Sequence, residues 1–140
     1  MKKVFADTHY WLAIANPKDQ WHGDALAARK QVKAAMLVTC DEVLSEFLTG
    51  LSHGGEVLRK KAAQFVQAIM VSNQVEVMEQ SRETFLNGLD LYRGRFDKEY
   101  SLVDCISMTH MKSLGITEIL THDEHFTQEG FVALIKTQAV

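Results

Sequence analysis

Residues 3–8 read Lys3-Val4-Phe5-Ala6-Asp7-Thr8, a short apolar run that ends at a carboxylate. A brief run of this kind predicts a buried strand, and the helical spacing of apolar residues over 8–15 predicts that a helix follows directly. Ligands of open α/β sheets bind beyond the carboxyl ends of the strands. Asp7 is therefore expected at the ligand-binding edge of a sheet.

The rest of the chain repeats this alternation of strand and helix. We predict further strands at 36–39, 75–78, 118–121 and 131–135. Apolar periodicity predicts helices at 8–15, 19–34, 41–53, 56–71, 81–92 and 101–114, with a short helical turn at 123–126. Strands that alternate with helices are typical of parallel βαβ units. The predicted fold is α/β, with three α/β/α layers around a central, mostly parallel sheet.

Length and composition fit one globular domain. The chain has 140 residues, of which 46 % are apolar and 24 % charged, as in ordinary globular proteins. We predict a single domain over residues 1–140. No stretch approaches the roughly 20 apolar residues that span a bilayer, and Cys40 and Cys105 lack the CxxC spacing of a redox or zinc motif. We expect a cytoplasmic protein with two buried thiols and no membrane partner.

The charge balance bears on nucleic-acid binding. The formal net charge is −3, whereas a protein that binds nucleic acid usually carries basic excess. The composition therefore argues mildly against binding through a basic surface. A bound cation would remove this objection, because the ion itself supplies positive charge where it is needed.

Four acidic residues stand where predicted strands end or in the first half of predicted helices. They are Asp7, Glu46, Asp104 and Asp123. Each has a simpler interpretation when taken alone. Three of them would be suited to capping the helix beside them, and Glu46 would be a solvated acid on a helix flank.

Considered together, the four acids favour a shared cation. Glu46 lies at the margin of an apolar stripe, and Asp104 lies in a helix that is apolar almost all round. Ionised carboxylates are rarely found in such places without a partner, and neither residue has a lysine or arginine within a turn of its helix. Carboxylate ligands without a cluster of histidine and cysteine suit hard ions such as Mg²⁺ or Mn²⁺.

Four segments carry a family resemblance. They are Val4-Phe5-Ala6-Asp7-Thr8, Leu44-Ser45-Glu46-Phe47, Ser101-Leu102-Val103-Asp104-Cys105 and Leu120-Thr121-His122-Asp123-Glu124-His125-Phe126. In this order and at this spacing, the chain resembles a PIN domain, most closely the VapC-like ribonuclease toxins of bacterial toxin–antitoxin pairs. The resemblance covers essentially the whole chain.

This resemblance implies a Mg²⁺- or Mn²⁺-dependent endoribonuclease that leaves a 5′-phosphate and a 3′-hydroxyl. The catalytic residues and metal ligands that it implies are Asp7, Glu46, Asp104 and Asp123. The hydroxyl residues that would support them are Thr8, Thr121 and, as a weaker candidate, Ser107. We expect Asp7 and Asp104 to carry the main ion, with Glu46 bound directly or through water.

Basic residues near the acids are candidate RNA contacts. The candidates are Arg93, Arg95, Lys98 and His122. The first three precede the helix of Asp104 and would be suited to holding flanking phosphates, although a solvated connector is the simpler interpretation. On the helix of Glu46, we expect Asp41 to be a cap and Glu42 to face solvent.

Three functions remain open on the sequence alone. The first is an RNA-cleaving toxin, for which the resemblance implies an antitoxin partner and a homodimer. The second is a stand-alone nuclease of RNA processing or decay, and the third is a non-catalytic protein- or nucleic-acid-binding module whose acids are only helix caps.

A haloacid dehalogenase phosphatase also begins with a strand and an aspartate, but Asp7-Thr8-His9 lacks the second aspartate of DxD. No GxGxxG follows the first strand, which disfavours a nucleotide-binding Rossmann module.

Overall fold

The computed structural model describes residues 1–137, so the last three residues of the predicted domain, 138–140, lie outside the described residues. The strands are β1 (Lys3–Ala6), β2 (Met36–Cys40), β3 (Val75–Met78), β4 (Glu118–Leu120) and β5 (Val132–Ala133). The helices are α1 (Thr8–Ala15), α2 (His22–Gln31), α3 (Asp41–Gly50), α4 (Glu56–Val71), α5 (Arg82–Arg93), α6 (Leu102–Leu114) and α7 (Glu124–Gln128).

The five strands form one sheet in the order β3-β2-β1-β4-β5. Every pairing among the described strands is parallel, so the α/β/α prediction is confirmed and the sheet is wholly parallel where a mostly parallel one was expected. Successive residues of a strand point to opposite faces. Val4 and Phe5 are both fully buried, so helices cover both faces of the sheet, as parallel sheets require.

The strand order fixes where a ligand can bind. β1 lies in the middle of the sheet, with β2 on one side and β4 on the other. The chain leaves β1 towards one neighbour and returns much later to the other, which creates a topological switch point, and ligands of open parallel sheets bind there. Asp7 immediately follows β1, so the fold puts this carboxylate at the centre of the binding edge.

Local hydrogen bonds account for the main differences from the predicted element bounds. The helix predicted at 19–34 spans only His22–Gln31. It begins late because the Asp19 carboxylate accepts a hydrogen bond from the Trp21 amide at 2.8 Å, which stabilises a turn. It ends early where Arg29 donates to the Val32 carbonyl at 2.8 Å. The helix predicted at 41–53 ends at Gly50.

No helix within residues 1–137 is both long and apolar enough to cross a membrane.

A close approach of α5 and α6 holds the helix that carries Asp104. Gly88 is buried in the middle of α5, and a Cβ atom there would come within 2.4 Å of the Ile106 side chain and 3.3 Å of its Cα. Ile106 is itself 2 % exposed. The two helices therefore meet at a distance that only glycine permits without movement of the backbone or of Ile106.

We expect Gly88→Ala to lower the free energy of unfolding by about 1 kcal/mol, because overpacking costs roughly 1–3 kcal/mol and helix propensity returns about 1 kcal/mol. Gly23→Ala is the matched control, since Gly23 is a helical glycine where an added Cβ would meet no atom within 4 Å. It should stabilise the chain by about 0.5–1 kcal/mol. Urea unfolding of both variants measures the difference, and equal stabilities would contradict the close packing.

Candidate functional site

An open cavity of about 630 Å³ lies at the carboxyl edge of the sheet. We call it the acidic cavity, because five of the residues that line it are carboxylates. Its lining residues are Asp7, Thr8, His9, Leu12, Glu42, Ser45, Glu46, Thr49, Gln80, Ser101, Val103, Asp104 and Asp123. All four acids predicted from the sequence therefore face one space, and no lysine or arginine is among the described residues that line it.

Asp7 is the most buried of the four acids, with 3 % of its surface exposed. It stands at the N-cap position of α1, yet its side chain makes no capping hydrogen bond. Instead, Thr121 donates its hydroxyl hydrogen to Asp7 Oδ2 at 3.0 Å. Burial raises the pKa of Asp7 to about 6, and the nearby His9 opposes this shift. The cap interpretation of Asp7 therefore fails, and the position favours an added positive charge.

Glu46 reaches the same cavity from α3, a helix whose other face packs in the core. Thr8 donates its hydroxyl hydrogen to Glu46 Oε1 at 2.6 Å. Two of the three predicted supporting hydroxyls thus each bind a different acid: Thr121 holds Asp7, and Thr8 holds Glu46. These hydrogen bonds orient the carboxylates without neutralising them.

Asp104 and Asp123 do act as helix caps. Asp104 forms a capping box with Ser101, its backbone N–H donating to Ser101 Oγ at 3.0 Å and its Oδ2 accepting from the Ser101 amide at 3.1 Å. Asp123 Oδ1 accepts from the His125 amide at 2.9 Å. The imidazole Nδ1 of His125 also lies 3.0 Å from Asp104 Oδ2. The cap interpretation therefore holds for these two acids, and each keeps a further carboxylate oxygen.

The distances between potential ligand atoms separate the four acids into two groups. Asp104, Asp123 and His125 each offer one ligand atom within 4.8 Å of the others, which is close enough for one ion. Among residues 1–137, neither Asp7 nor Glu46 belongs to a group of three donors that close. Asp7 is nevertheless near enough to Asp104 for the charge of Asp104 to raise its pKa further. A cation held by all four acids would require side-chain movement across the acidic cavity.

Three predictions about neighbouring residues are wrong. Ser107 is fully buried beside the Cys40 thiol and does not line the acidic cavity, so it does not support the site. Asp41 does not cap its helix, because its carboxylate accepts a hydrogen bond from the Gln80 amide at 2.9 Å. Glu42 does not simply face solvent, since its Oε1 is buried without a hydrogen bond.

The basic residues before α6 lie outside the lining of the acidic cavity. None of the three candidates, Arg93, Arg95 and Lys98, lines the acidic cavity. Arg95 forms two hydrogen bonds of 2.9 Å with Glu129, which has 6 % of its side chain exposed. Tyr100 and Lys112 also donate to this carboxylate, at 3.0 and 2.8 Å. Arg95 is therefore a structural ion-pair partner and not a free phosphate contact.

The Glu129 cluster predicts a pH-dependent contribution to stability. The Arg95 hydrogen bonds are the main cause that lowers the pKa of Glu129 from 4.5 to about 2. A lowered pKa in the folded state stabilises the protein above pH 4.5, and this stabilisation is lost as the pH falls from about 4.5 towards 2. We expect Glu129→Gln to lower the free energy of unfolding by about 1–3 kcal/mol at pH 7, with a smaller difference from wild type at pH 3.

Urea unfolding at both pH values measures this effect. Glu99→Gln is the matched control, because Glu99 is an exposed acid beside the same cluster. Its effect should stay within about 0.5 kcal/mol. If Glu129→Gln lowers the free energy of unfolding as much at pH 3 as at pH 7, the ion-pair explanation is contradicted.

A column of three stacked rings reaches the acidic cavity at His9. The ring of His122 lies between Trp21, at a centroid distance of 4.1 Å, and His9, at 4.3 Å, and the planes are within 13° of parallel. Both faces of His122 are thus covered, so it is not available to stack on a nucleobase. His9 ends the column beside Asp7, and 40 % of its side chain is exposed.

Two features of this site were not predicted from the sequence. His125 contacts Asp104 through a tertiary contact between α6 and α7. Trp21 and His9 meet His122 across more than a hundred residues of sequence. Histidines on both sides of a site aspartate were the available signal, but nothing local fixed their partners.

Comparisons with known proteins cover most of the chain. The family model described as PIN domain matches residues 4–131. The 23S rRNA-specific endonuclease VapC20 of Mycobacterium tuberculosis, in two strains, is 30 % identical over 129 residues, which are 92 % of this chain and 95 % of that protein. The crystal structure of M. tuberculosis VapC20, described as a sarcin-ricin loop cleaving toxin, superposes with a TM-score of 0.81. It is 28 % identical in sequence, and the match covers 92 % of this chain and 96 % of that chain.

Proposed function

Since this chain belongs to the PIN domain family, we propose that it is a Mg²⁺- or Mn²⁺-dependent endoribonuclease and the toxin of a type II toxin–antitoxin pair. The observation that carries the proposal is the acidic cavity, where Asp7, Glu46, Asp104 and Asp123 face one space at the switch point of the sheet. The VapC20 proteins that cleave 23S rRNA match over nearly the full length of both chains.

The donor set suits a hard divalent ion. Carboxylates, hydroxyls, the carboxamide of Gln80 and the imidazoles of His9 and His125 surround the expected position. Most of these donors are oxygen atoms, which are the ligands that Mg²⁺ and Mn²⁺ prefer. Burial holds the pKa of Asp7 near 6, so ionisation of this carboxyl is costly until a cation stands beside it. In our proposal Asp7 and Asp104 hold the main ion, and Glu46 and Asp123 complete its surroundings.

The side chains of this chain position the reaction, and a divalent ion, when bound, supplies an activated water and positive charge at the scissile phosphate. Thr121 fixes Asp7, and Thr8 fixes Glu46. The hydroxyl donors take one oxygen of each carboxylate, which leaves the other oxygen for ligation. The capping box with Ser101 fixes Asp104 in the same way. Catalysis of this kind depends on such preorganised groups, which do not have to reorient during the reaction.

We expect the base next to the scissile phosphate to stack on the outer face of His9. Stacking of a base on an aromatic ring contributes about 1–3 kcal/mol, so His9→Ala should raise KM for RNA by roughly 5- to 150-fold and change kcat less. His9→Phe preserves a flat ring and should keep KM near the wild-type value. An equal loss of kcat in both variants would indicate that His9 supports the carboxylates of the site and does not stack on RNA.

A metal-dependent cleavage assay tests the proposed function. Purified protein should cut RNA containing the sarcin-ricin loop in Mg²⁺ or Mn²⁺, and EDTA should stop the reaction. Products should carry a 5′-phosphate and a 3′-hydroxyl. An Asp104→Asn variant with wild-type activity would remove Asp104 from the mechanism, and cleavage that persists in EDTA would overturn the proposed metal dependence.

Two alternatives from the sequence have separate tests. A non-catalytic module is favoured only by the caps that Asp104 and Asp123 form, and it predicts no metal-dependent shift of the melting temperature. A stand-alone nuclease of RNA decay predicts the same chemistry without an antitoxin gene beside its own. The antitoxin partner, the homodimer and the cytoplasmic location stay predictions, and co-purification with the product of a neighbouring short gene would support the first of these.

A further inference from the structure

A second group of potential metal ligands adjoins the acidic cavity, at the junction of three elements. Cys40 ends β2, Glu42 lies in the first turn of α3, and His110 lies in the middle of α6. Each offers one ligand atom, and these atoms all lie within 4.8 Å of one another. We call this group the Cys40 cluster. It shares no residue with the four acids of the candidate active site.

Buried atoms without hydrogen bonds concentrate at this cluster. Within residues 1–137, the buried side-chain nitrogen or oxygen atoms that lack a hydrogen bond are Glu42 Oε1, Ser107 Oγ and His110 Nε2. Ser107 lies beside Cys40, so all three atoms belong to one neighbourhood. Leaving one such group unsatisfied costs about 1–3 kcal/mol, and buried polar groups nearly always have a partner. Ser107 and Glu42 also lie within hydrogen-bonding reach of the Cys40 thiol. His110 Nε2 has no partner of this kind, although His110 is only 6 % exposed, so this nitrogen is the atom that indicates an occupant.

The donor types indicate which occupant fits. Sulfur, imidazole nitrogen and carboxylate oxygen are the three ligand types of Zn²⁺ sites, whereas Mg²⁺ binds oxygen alone. A thiolate and a carboxylate carry two negative charges, which a divalent ion balances.

The protonation states are consistent with this choice. Burial is the main cause that lowers the pKa of His110, so its ring is neutral and offers a lone pair. Burial also raises the pKa of Cys40 to about 12, with the Glu42 charge adding to the shift. The thiol therefore stays protonated unless a soft cation displaces the proton, which is how metal binding couples to ionisation.

The dimensions and the access route also fit. Ligand atoms of a tetrahedral zinc shell lie roughly 3.3–3.8 Å apart, by the bond lengths of zinc sites, so the cluster needs to contract by about 1.5 Å at most. Cys40 is fully buried and His110 is 6 % exposed, but Glu42 lines the acidic cavity and provides an entry path.

We propose that Cys40, Glu42 and His110 form a second metal site, which binds a thiophilic divalent ion of the Zn²⁺ class. Ser107 lies beside the site as a further hydroxyl partner. The ion would connect β2, α3 and α6, and two of these elements carry Glu46 and Asp104. Its role is structural, because it fixes the spacing between the helices that bear two of the active-site acids. This role does not depend on whether the chain cleaves RNA.

Cobalt titration of the full-length protein tests this site. Co²⁺ bound by a thiolate absorbs strongly in the near ultraviolet through sulfur-to-metal charge transfer, whereas Co²⁺ among carboxylates does not. We expect this band to rise to one Co²⁺ per chain and to disappear when Zn²⁺ is added. Absence of the band at saturating Co²⁺ would overturn the proposal.

Variants separate the Cys40 cluster from other possibilities. Cys40→Ser and His110→Gln should lose the band, or weaken Co²⁺ binding by at least 10-fold, while Cys105→Ser should keep it, because Cys105 is the other fully buried thiol. Asp7→Asn should also keep it, so failure of the nuclease proposal leaves this result untouched. Circular dichroism checks that each variant folds. If Cys40→Ser fails to fold, loss of the band in folded His110→Gln still supports the site, and its retention there would contradict it.

Discussion

We expect Asp7→Asn to lower the rate of RNA cleavage by at least about 100-fold and to leave the chain folded. This lower limit rests on a comparison. Removal of residues that only hydrogen-bond to metal ligands lowers metal affinity or activity by 10- to 100-fold, and Asp7 is proposed to hold the ion itself. Asparagine keeps the size of the side chain and can still accept the hydrogen bond from Thr121. The loss would therefore report the missing negative charge and not a change in packing.

Initial rates in saturating Mn²⁺ with a labelled sarcin-ricin loop RNA measure this effect. The matched control is Asp90→Asn, which removes one negative charge from an exposed position on α5. Its rate should stay within about twofold of wild type. Recovery of Asp7→Asn at higher Mn²⁺ would indicate weakened metal affinity, whereas a wild-type rate at ordinary Mn²⁺ would exclude Asp7 as a ligand.

The same substitution should stabilise the protein when divalent ions are removed. Burial raises the pKa of Asp7 from 3.8 to about 6, so the folded state binds this proton more tightly than the unfolded state does. Wild-type stability then falls as the pH rises from about 3.8 to 6. A shift of about two pKa units corresponds to roughly 3 kcal/mol at most, and we expect Asp7→Asn to gain about 1–3 kcal/mol at pH 7.5 in EDTA.

Urea unfolding in EDTA at pH 7.5 and at pH 4 measures the gain and its pH dependence. The gain should shrink at pH 4, where the carboxyl of the folded wild type is protonated. Addition of Mn²⁺ should stabilise the wild type and not the variant, which reduces or reverses the difference. An Asp7→Asn variant that is less stable than wild type in EDTA at pH 7.5 would show that Asp7 contributes to stability as an ordinary hydrogen-bonded acid. If Asp7→Asn is the more stable form, as we expect, the wild-type site exchanges stability for function, as active sites commonly do.

The fold could be predicted from the sequence because its signals are local. Short apolar runs such as Val4 to Ala6 give buried strands, and the helical periodicity between them gives the layers. Strand alternation then leaves few topologies, and all of them put the ends of the strands at one edge. Element bounds were less predictable, since a single hydrogen bond such as that from Trp21 to Asp19 delays a helix by three residues.

The site was predictable only in part. The four acids could be selected because strand ends and family motifs mark them, and they do line one cavity; their role as metal ligands stays a prediction. Partner choice depended on tertiary contacts that no local pattern encodes. Arg95 lies 34 residues from Glu129, and His125 lies 21 residues from Asp104.

The central claim is that Asp7, Glu46, Asp104 and Asp123 share a divalent ion in the acidic cavity. Anomalous diffraction from a crystal soaked in Mn²⁺ tests it most directly. We expect a peak within about 2.5 Å of carboxylate oxygens of both Asp7 and Asp104. A cavity without a peak at saturating Mn²⁺, or a peak bound by Asp104, Asp123 and His125 with Asp7 remote, would contradict it.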